Sequence, residues 1–248
     1  MPEQALRYKT EYLSGGVRVF TSPAHTFGTD AVLLAHFSAP KLRDRACDFG
    51  TGCGIIPLLW CAAGRCSRID GVELQEEAAA QAQQGVRENG LQERLFIHCA
   101  DLKNAPGFLP AGGFDLVTMN PPYQKLGAGL ISREESGRIA RHESACTLED
   151  AAFSASRLLR FGGRFCLCLR PERLCDALEA MRKAGCEPKR LRFVQKTAGS
   201  APWLFLAEGK RGAKPGLSVE PPLFLYAESG EYSEDYQKIY DGYRKDAL

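Results

Sequence analysis

The chain has 248 residues, 44% hydrophobic and 25% charged, with a formal net charge of +2. This balance excludes disordered and fibrous classes, and the lack of a long uncharged apolar run excludes a helical membrane protein. The opening MPEQALRYKTEYLSGG lacks the basic-then-apolar layout of a secretory signal, so a cytoplasmic protein with no membrane partner is expected, its oligomeric state left open.

A leader, residues 1–44, comes first, and its AVLLAHF stretch reads as a short amphipathic helix. Short apolar, β-rich runs then alternate with helix-like stretches. The strand-like runs are 45–49, 68–74, 95–99, 114–120, 164–169, 191–196 and 203–208. Several are continuously apolar, as strands buried on both faces are. The helix-like stretches are 56–64, 75–89, 148–159 and 173–184, the last stopped by Gly185. This alternation predicts an α/β fold with a seven-stranded, mostly parallel sheet covered on both sides. The last two runs are joined by only Thr-Ala-Gly-Ser-Ala-Pro, too short for a helical crossover, which predicts a terminal antiparallel hairpin at the sheet edge. One domain over 1–248 is expected, with a core at 45–211 and a C-terminal extension at 212–248 that ends in a helix over 231–244.

Ten cysteines are scattered through apolar runs, which reads as reduced, buried thiols, and their spacing provides no metal site. Residues 157–196 hold eleven Lys or Arg against four acids. That stretch is either a phosphate-facing surface or a set of solvated faces.

The first strand runs into Asp48-Phe49-Gly50-Thr51-Gly52-Cys53-Gly54, just before a helix. Glycines at alternate positions let the backbone turn tightly and approach a ligand at the C-terminal edge of a parallel sheet. The second strand ends on Glu73, placed to accept from both hydroxyls of a ribose, and the third is followed by Asp101, placed to accept from an adenine amino group. Either acid alone reads as a cap or a solvated loop residue; the three features in strand order are specific. The fourth strand empties into Asn120-Pro121-Pro122-Tyr123. The Asn120 oxygen and the Pro121 carbonyl can accept the two hydrogens of a planar NH2 group, while Tyr123 offers a flat face for stacking.

At these residues the chain resembles the class I, Rossmann-like, S-adenosylmethionine-dependent methyltransferases, in particular their Asn-Pro-Pro-Tyr branch. The resemblance implies that Asp48, Gly50, Gly52 and Gly54 surround the methionine part of S-adenosylmethionine, that Glu73 holds its ribose and Asp101 its adenine, and that Asn120, Pro121, Pro122 and Tyr123 form the catalytic loop. Over nearly its whole length the chain is similar to the bacterial tRNA1(Val) adenine-37 N6-methyltransferase family. Phe27 to Leu34 (FGTDAVLL), Ala140-Arg141-His142-Glu143, Arg170-Pro171-Glu172-Arg173 and Glu220-Pro221-Pro222-Leu223 carry that similarity. In that family the leader lies over the cofactor pocket, which makes Thr29 and Asp30 candidate lining residues. Arg138, Arg141 and His142 follow a glycine-rich, charged stretch and are candidates for clamping substrate phosphate; a salt bridge of Arg141 with Glu143 and a general-base role for His142 are the alternatives.

The expectation is therefore N6-methylation of adenine in tRNA, with RNA as partner. N5-methylation of glutamine in a release factor or ribosomal protein presents the same NH2 to the same loop. That family carries a separate N-terminal helical domain, whereas about 45 residues precede the first strand here. A catalytically silent RNA- or nucleotide-binding module is the reading from another class, because fold alone never establishes activity.

Overall fold

The computed structural model describes residues 8–121 and 146–243. In chain order the elements are β1 (Lys9–Tyr12), β2 (Arg18–Thr21), α1 (Thr29–Ser38), β3 (Arg45–Phe49), α2 (Ile55–Ala62), β4 (Arg68–Glu73), α3 (Glu76–Glu88), β5 (Leu95–Cys99), α4 (Ala105–Phe108) and β6 (Phe114–Met119). They continue with α5 (Leu148–Leu158), β7 (Leu159–Leu169), α6 (Leu174–Lys183), β8 (Cys186–Gln195), β9 (Pro202–Arg211), β10 (Ser218–Phe224) and α7 (Glu234–Asp241). The main sheet has eight strands in the order β10-β8-β9-β7-β6-β3-β4-β5. Only β9 runs against the rest, pairing antiparallel with β7 and with β8.

The central strands β3, β4 and β6 are almost wholly buried because both faces are covered. On one face, α1, α2 and α7 pack with Trp60, Leu58, Leu33 and Ile239. Trp60 is fully buried, and its indole N–H donates to the Ala35 carbonyl at 3.2 Å, which ties α2 to α1. On the other face, Phe49, Phe114, Phe165 and Met181 pack with α5 and α6. Helix α5 opens with a reciprocal cap in which Thr147 and Asp150 each accept the other's backbone N–H at 3.1 Å.

Two features outside the predicted seven strands appear. The leader folds into the antiparallel β1/β2 ribbon, which is held by amides of α3. Asn89 accepts from the Arg18 N–H at 2.8 Å and donates to the Arg18 carbonyl at 2.7 Å, standing in for a neighbouring strand. Gln81 donates to the carbonyls of Phe20 and His25 at 2.6 and 2.9 Å. Such pairing meets the rule that buried backbone polar groups need partners.

The second feature corrects the expected sheet edge. The β8/β9 hairpin forms, but β10 adds outside β8, parallel to it, so the hairpin is not terminal. The register slips between Glu220 and Leu223, where Pro221 and Pro222 have no N–H to donate. A run with two prolines lacks the signature of a ladder strand, and an edge position is where it is tolerated. All ten cysteines are free and seven are buried, as reduced apolar side chains would be. Among the described residues no helix is long and apolar enough to cross a membrane.

Candidate active site

The C-terminal ends of β3, β4, β5 and β6 bring together most of the residues singled out in the sequence. After β3 the chain turns through Gly50, Gly52 and Gly54 with φ of 63°, 54° and 79°, the left-handed region that glycine adopts without strain. A Cβ on Gly50 or Gly52 would meet nothing within 4 Å, so the space beside the turn is open. Gly54 differs: a Cβ there would stand 3.2 Å from that of Ala82, so this glycine lets α2 and α3 approach each other.

Glu73, buried at the end of β4, locks the turn. One carboxylate oxygen accepts from the Gly52 N–H and the other from the Gln75 N–H, both at 2.9 Å. Each oxygen keeps a further lone pair for a ligand hydroxyl. Asp101 caps the turn after β5 by accepting from the Lys103 N–H at 2.9 Å. It borders a slot lined by Gly50, Val72, Leu74, Ala100, Leu102 and Cys146, a mostly apolar lining of the chemistry that suits a flat ring.

Asp48 is buried, and burial pushes its carboxyl pKa up to about 7 against the pull of a hydrogen bond from the Thr118 hydroxyl at 2.6 Å. Its other oxygen, Oδ2, has no hydrogen-bond partner; the Thr51 hydroxyl is near enough to favour the ionised form without closing a bond of good geometry. A buried carboxylate oxygen without a donor is costly, and a cationic ligand would supply one.

Asn120 follows β6 directly. Its amide nitrogen donates to Asp30 Oδ2 at 3.0 Å, and its oxygen accepts from the Cys168 thiol at 2.8 Å. The leader therefore reaches the site through Asp30 in the first turn of α1, and Thr29 opens that helix beside the Tyr236 hydroxyl. Pro121 is the last described residue of the loop. Pro122, Tyr123, Arg138, Arg141 and His142, with the segment Ala140 to Glu143, lie outside the described residues. Among the described residues no cluster of His, Cys, Asp or Glu could hold a metal ion.

More than half of the basic stretch is paired with acids, Arg164 and Arg190 half-buried and the others at the surface. Arg164 and Arg190 converge on Glu208 at 3.1 and 3.0 Å, Arg160 pairs with Asp115, Arg173 with Asp176, Arg182 with Glu187 and Lys183 with Glu179. Six of its eleven cations thus face the protein's own acids. Cys168 and Thr118, which touch Asn120 and Asp48, were not among the expected site residues. A thiol and a hydroxyl inside apolar strands carry no pattern, and only pairing of β6 with β7 and with β3 brings them to the site.

A family model for the methyltransferase small domain matches residues 15–133. The tRNA1(Val) (adenine(37)-N6)-methyltransferase of Serratia proteamaculans is 30% identical over 217 residues, covering 86% of this chain and 80% of that protein. Its counterpart in Yersinia pseudotuberculosis is 33% identical over 221 residues, covering 87% and 84%. Of solved structures, a predicted O-methyltransferase from Agrobacterium tumefaciens superposes with a TM-score of 0.68 over 88% of this chain and 100% of that one, at 21% identity, a likeness of fold alone.

Parallel sheet, glycine turn and the acids in strand order define a class I, S-adenosylmethionine-dependent methyltransferase. The relatives narrow the class. The chain belongs to the family of tRNA1(Val) (adenine(37)-N6)-methyltransferases.

Proposed function

We propose that the protein methylates N6 of an adenine in tRNA, beside the anticodon of a valine tRNA, in the cytoplasm. The observation that carries the chemistry is the Asn120 side chain, held at the end of β6 between Asp30 and Cys168, one strand away from the glycine turn. The RNA substrate is supported by the names of relatives that span most of the chain.

The residues present fit the methyl donor. Asp48, with its unpartnered Oδ2, suits the ammonium of the methionine part; Gly50 and Gly52 leave room beside it; Glu73 suits the ribose hydroxyls; and Asp101 suits the adenine amino group at the rim of the apolar slot. Thr29 and Asp30 are assigned to the same region in this reading, which the contact of Asp30 with Asn120 supports. When bound, S-adenosylmethionine supplies an electrophilic methyl group on a sulfonium.

An adenine amino group is a poor nucleophile because its lone pair is delocalised into the ring. Asn120 Oδ1 and the Pro121 carbonyl accept its two hydrogens and favour the tetrahedral nitrogen of the transition state over the planar ground state. The developing positive charge on that nitrogen strengthens both bonds. Tyr123 stacks on the base in this reading, and Arg138, Arg141 and His142 face the phosphates. The alkylated nitrogen is acidic enough to lose its proton to water, so no general base is needed.

Incubation of the purified protein with radiolabelled S-adenosylmethionine and either unmodified tRNA or a peptide release factor tests the reading. Label in tRNA supports it; label in the release factor alone overturns it in favour of glutamine methylation.

A further inference from the structure

We infer that Asp30 and Cys168 are positioning residues for the proposed methyl transfer, fixing the Asn120 amide in one of its two orientations and polarising its oxygen towards the amino group it receives. The inference rests on Asn120 being the acceptor in that reading, and it adds a role to Asp30 beyond bordering the methyl donor.

An asparagine side chain can turn over and exchange its oxygen for its nitrogen, two groups of almost identical shape and opposite function. Here the neighbours decide. A carboxylate only accepts, so the group 3.0 Å from Asp30 Oδ2 is the amide NH2. Cys168 supplies the matching donor to the oxygen at 2.8 Å from the adjacent strand β7. The reversed amide would set oxygen against carboxylate and NH2 against S–H, losing both bonds.

The thiol is suited to this task. Cys168 is fully buried, and burial, then the negative charges of Asp30 and Asp48, hold its pKa well above the ordinary thiol value, so it remains a donor. Cys166, two residues earlier on the same face, turns its thiol to Glu208 at 3.7 Å and has no part in the clamp.

The arrangement also has an electronic consequence. Negative charge at the NH2 end of an amide moves electron density to its oxygen, and hydrogen bonds in such a chain strengthen one another. Asp30 therefore makes Asn120 Oδ1 a better acceptor as the substrate nitrogen becomes positive. With one lone pair occupied by Cys168, the remaining one is aimed at a single N–H. Both residues should then act on the chemical step rather than on binding.

The test is steady-state kinetics on the whole protein with tRNA, together with cofactor dissociation constants and unfolding curves, for Cys168→Ala, Cys168→Ser, Asp30→Asn, Asn120→Ala and the control Cys166→Ala. Loss of one such bond should lower kcat about tenfold in Cys168→Ala, with the cofactor dissociation constant within about twofold of wild type. Cys168→Ser keeps a donor and should recover most of that loss. Asp30→Asn keeps an acceptor but removes the charge, and should also lower kcat. Wild-type kcat in Cys168→Ala and Asp30→Asn, beside an inactive Asn120→Ala, would overturn the inference and leave the proposed function standing. An equal loss in Cys166→Ala, or no recovery in Cys168→Ser, would reduce Cys168 to packing and overturn it too. Full turnover in Asn120→Ala would remove the underlying reading instead.

Discussion

The Thr118 hydroxyl donates to Asp48 Oδ1 at 2.6 Å across the β3–β6 pair, so the β3 carboxylate just before the glycine turn is oriented by the strand that also delivers Asn120. Oδ2 is left buried without a donor, and Asp48 carries a pKa of about 7 as a result of its burial.

One consequence is a pH dependence of stability. The folded-state pKa of Asp48 lies above the usual 3.8, so the folded protein holds this proton more tightly than the unfolded chain. Asp48 therefore makes the cofactor-free protein progressively less stable as pH rises from about 4 to about 7, after which the penalty is constant. Thermal unfolding across pH 5 to 8 should show a fall in wild type that Asp48→Asn reduces; an identical profile in the variant would contradict the assignment. A cationic ligand favours the ionised form, so cofactor affinity should rise with pH through the same window.

Glu73 has a double duty, and its removal should show both parts. Glu73→Ala leaves the Gly52 and Gln75 amides without their acceptor, at roughly 1–3 kcal/mol for a buried donor left unsatisfied. It also removes the acceptor proposed for the ribose. Calorimetry should find lower stability together with cofactor affinity reduced at least about tenfold. Lower stability with an unchanged dissociation constant would remove Glu73 from the binding site.

Gly71 offers a test of the turn from beneath. A Cβ at this position in β4 would stand 2.9 Å from Ile97 Cδ1 and 3.1 Å from Thr51 Cγ2. Gly71→Ala should therefore push Thr51 and the glycine turn outward and cost roughly 1–3 kcal/mol as overpacking. Denaturant unfolding and cofactor titration on one sample would check it, with both parameters expected to weaken.

The inward-facing arginines make a prediction about RNA. Glu208 is the shared partner of Arg164 and Arg190, so Glu208→Gln should lower stability by roughly 3 kcal/mol, as loss of one member of a buried charge group does. The salt dependence of tRNA binding should stay as in wild type. If these arginines instead served phosphate, freeing them would strengthen binding and steepen that dependence, since each phosphate contact releases counterions.

Much of the core was legible because it rests on short-range signals. Short β-rich runs marked β3 to β6, glycine at alternate positions marked the turn, and the acids were marked by their place, Glu73 ending a strand and Asp101 following one. The β10 edge was hidden by Pro221 and Pro222, which fit a strand only where no inner neighbour demands their missing N–H groups. The β1/β2 ribbon was hidden for another reason: its docking depends on Asn89 and Gln81, polar side chains some 60 to 70 positions away that look like ordinary helix-surface residues. The same long-range dependence concealed Cys168, whose thiol reads as core until β7 is laid beside β6. In the positive stretch, local counting of charge left both readings open because it could not see Glu208 arriving from β9 to pair with Arg164 and Arg190.

Methyl transfer to the adenine amino group by way of Asn120 is tested by mass spectrometry of nucleosides from unmodified tRNA, incubated with the purified enzyme and S-adenosylmethionine carrying a deuterated methyl group. Wild type should yield deuterated N6-methyladenosine and Asn120→Ala almost none. Label in any other nucleoside, or undiminished N6-methyladenosine from Asn120→Ala, would contradict that route.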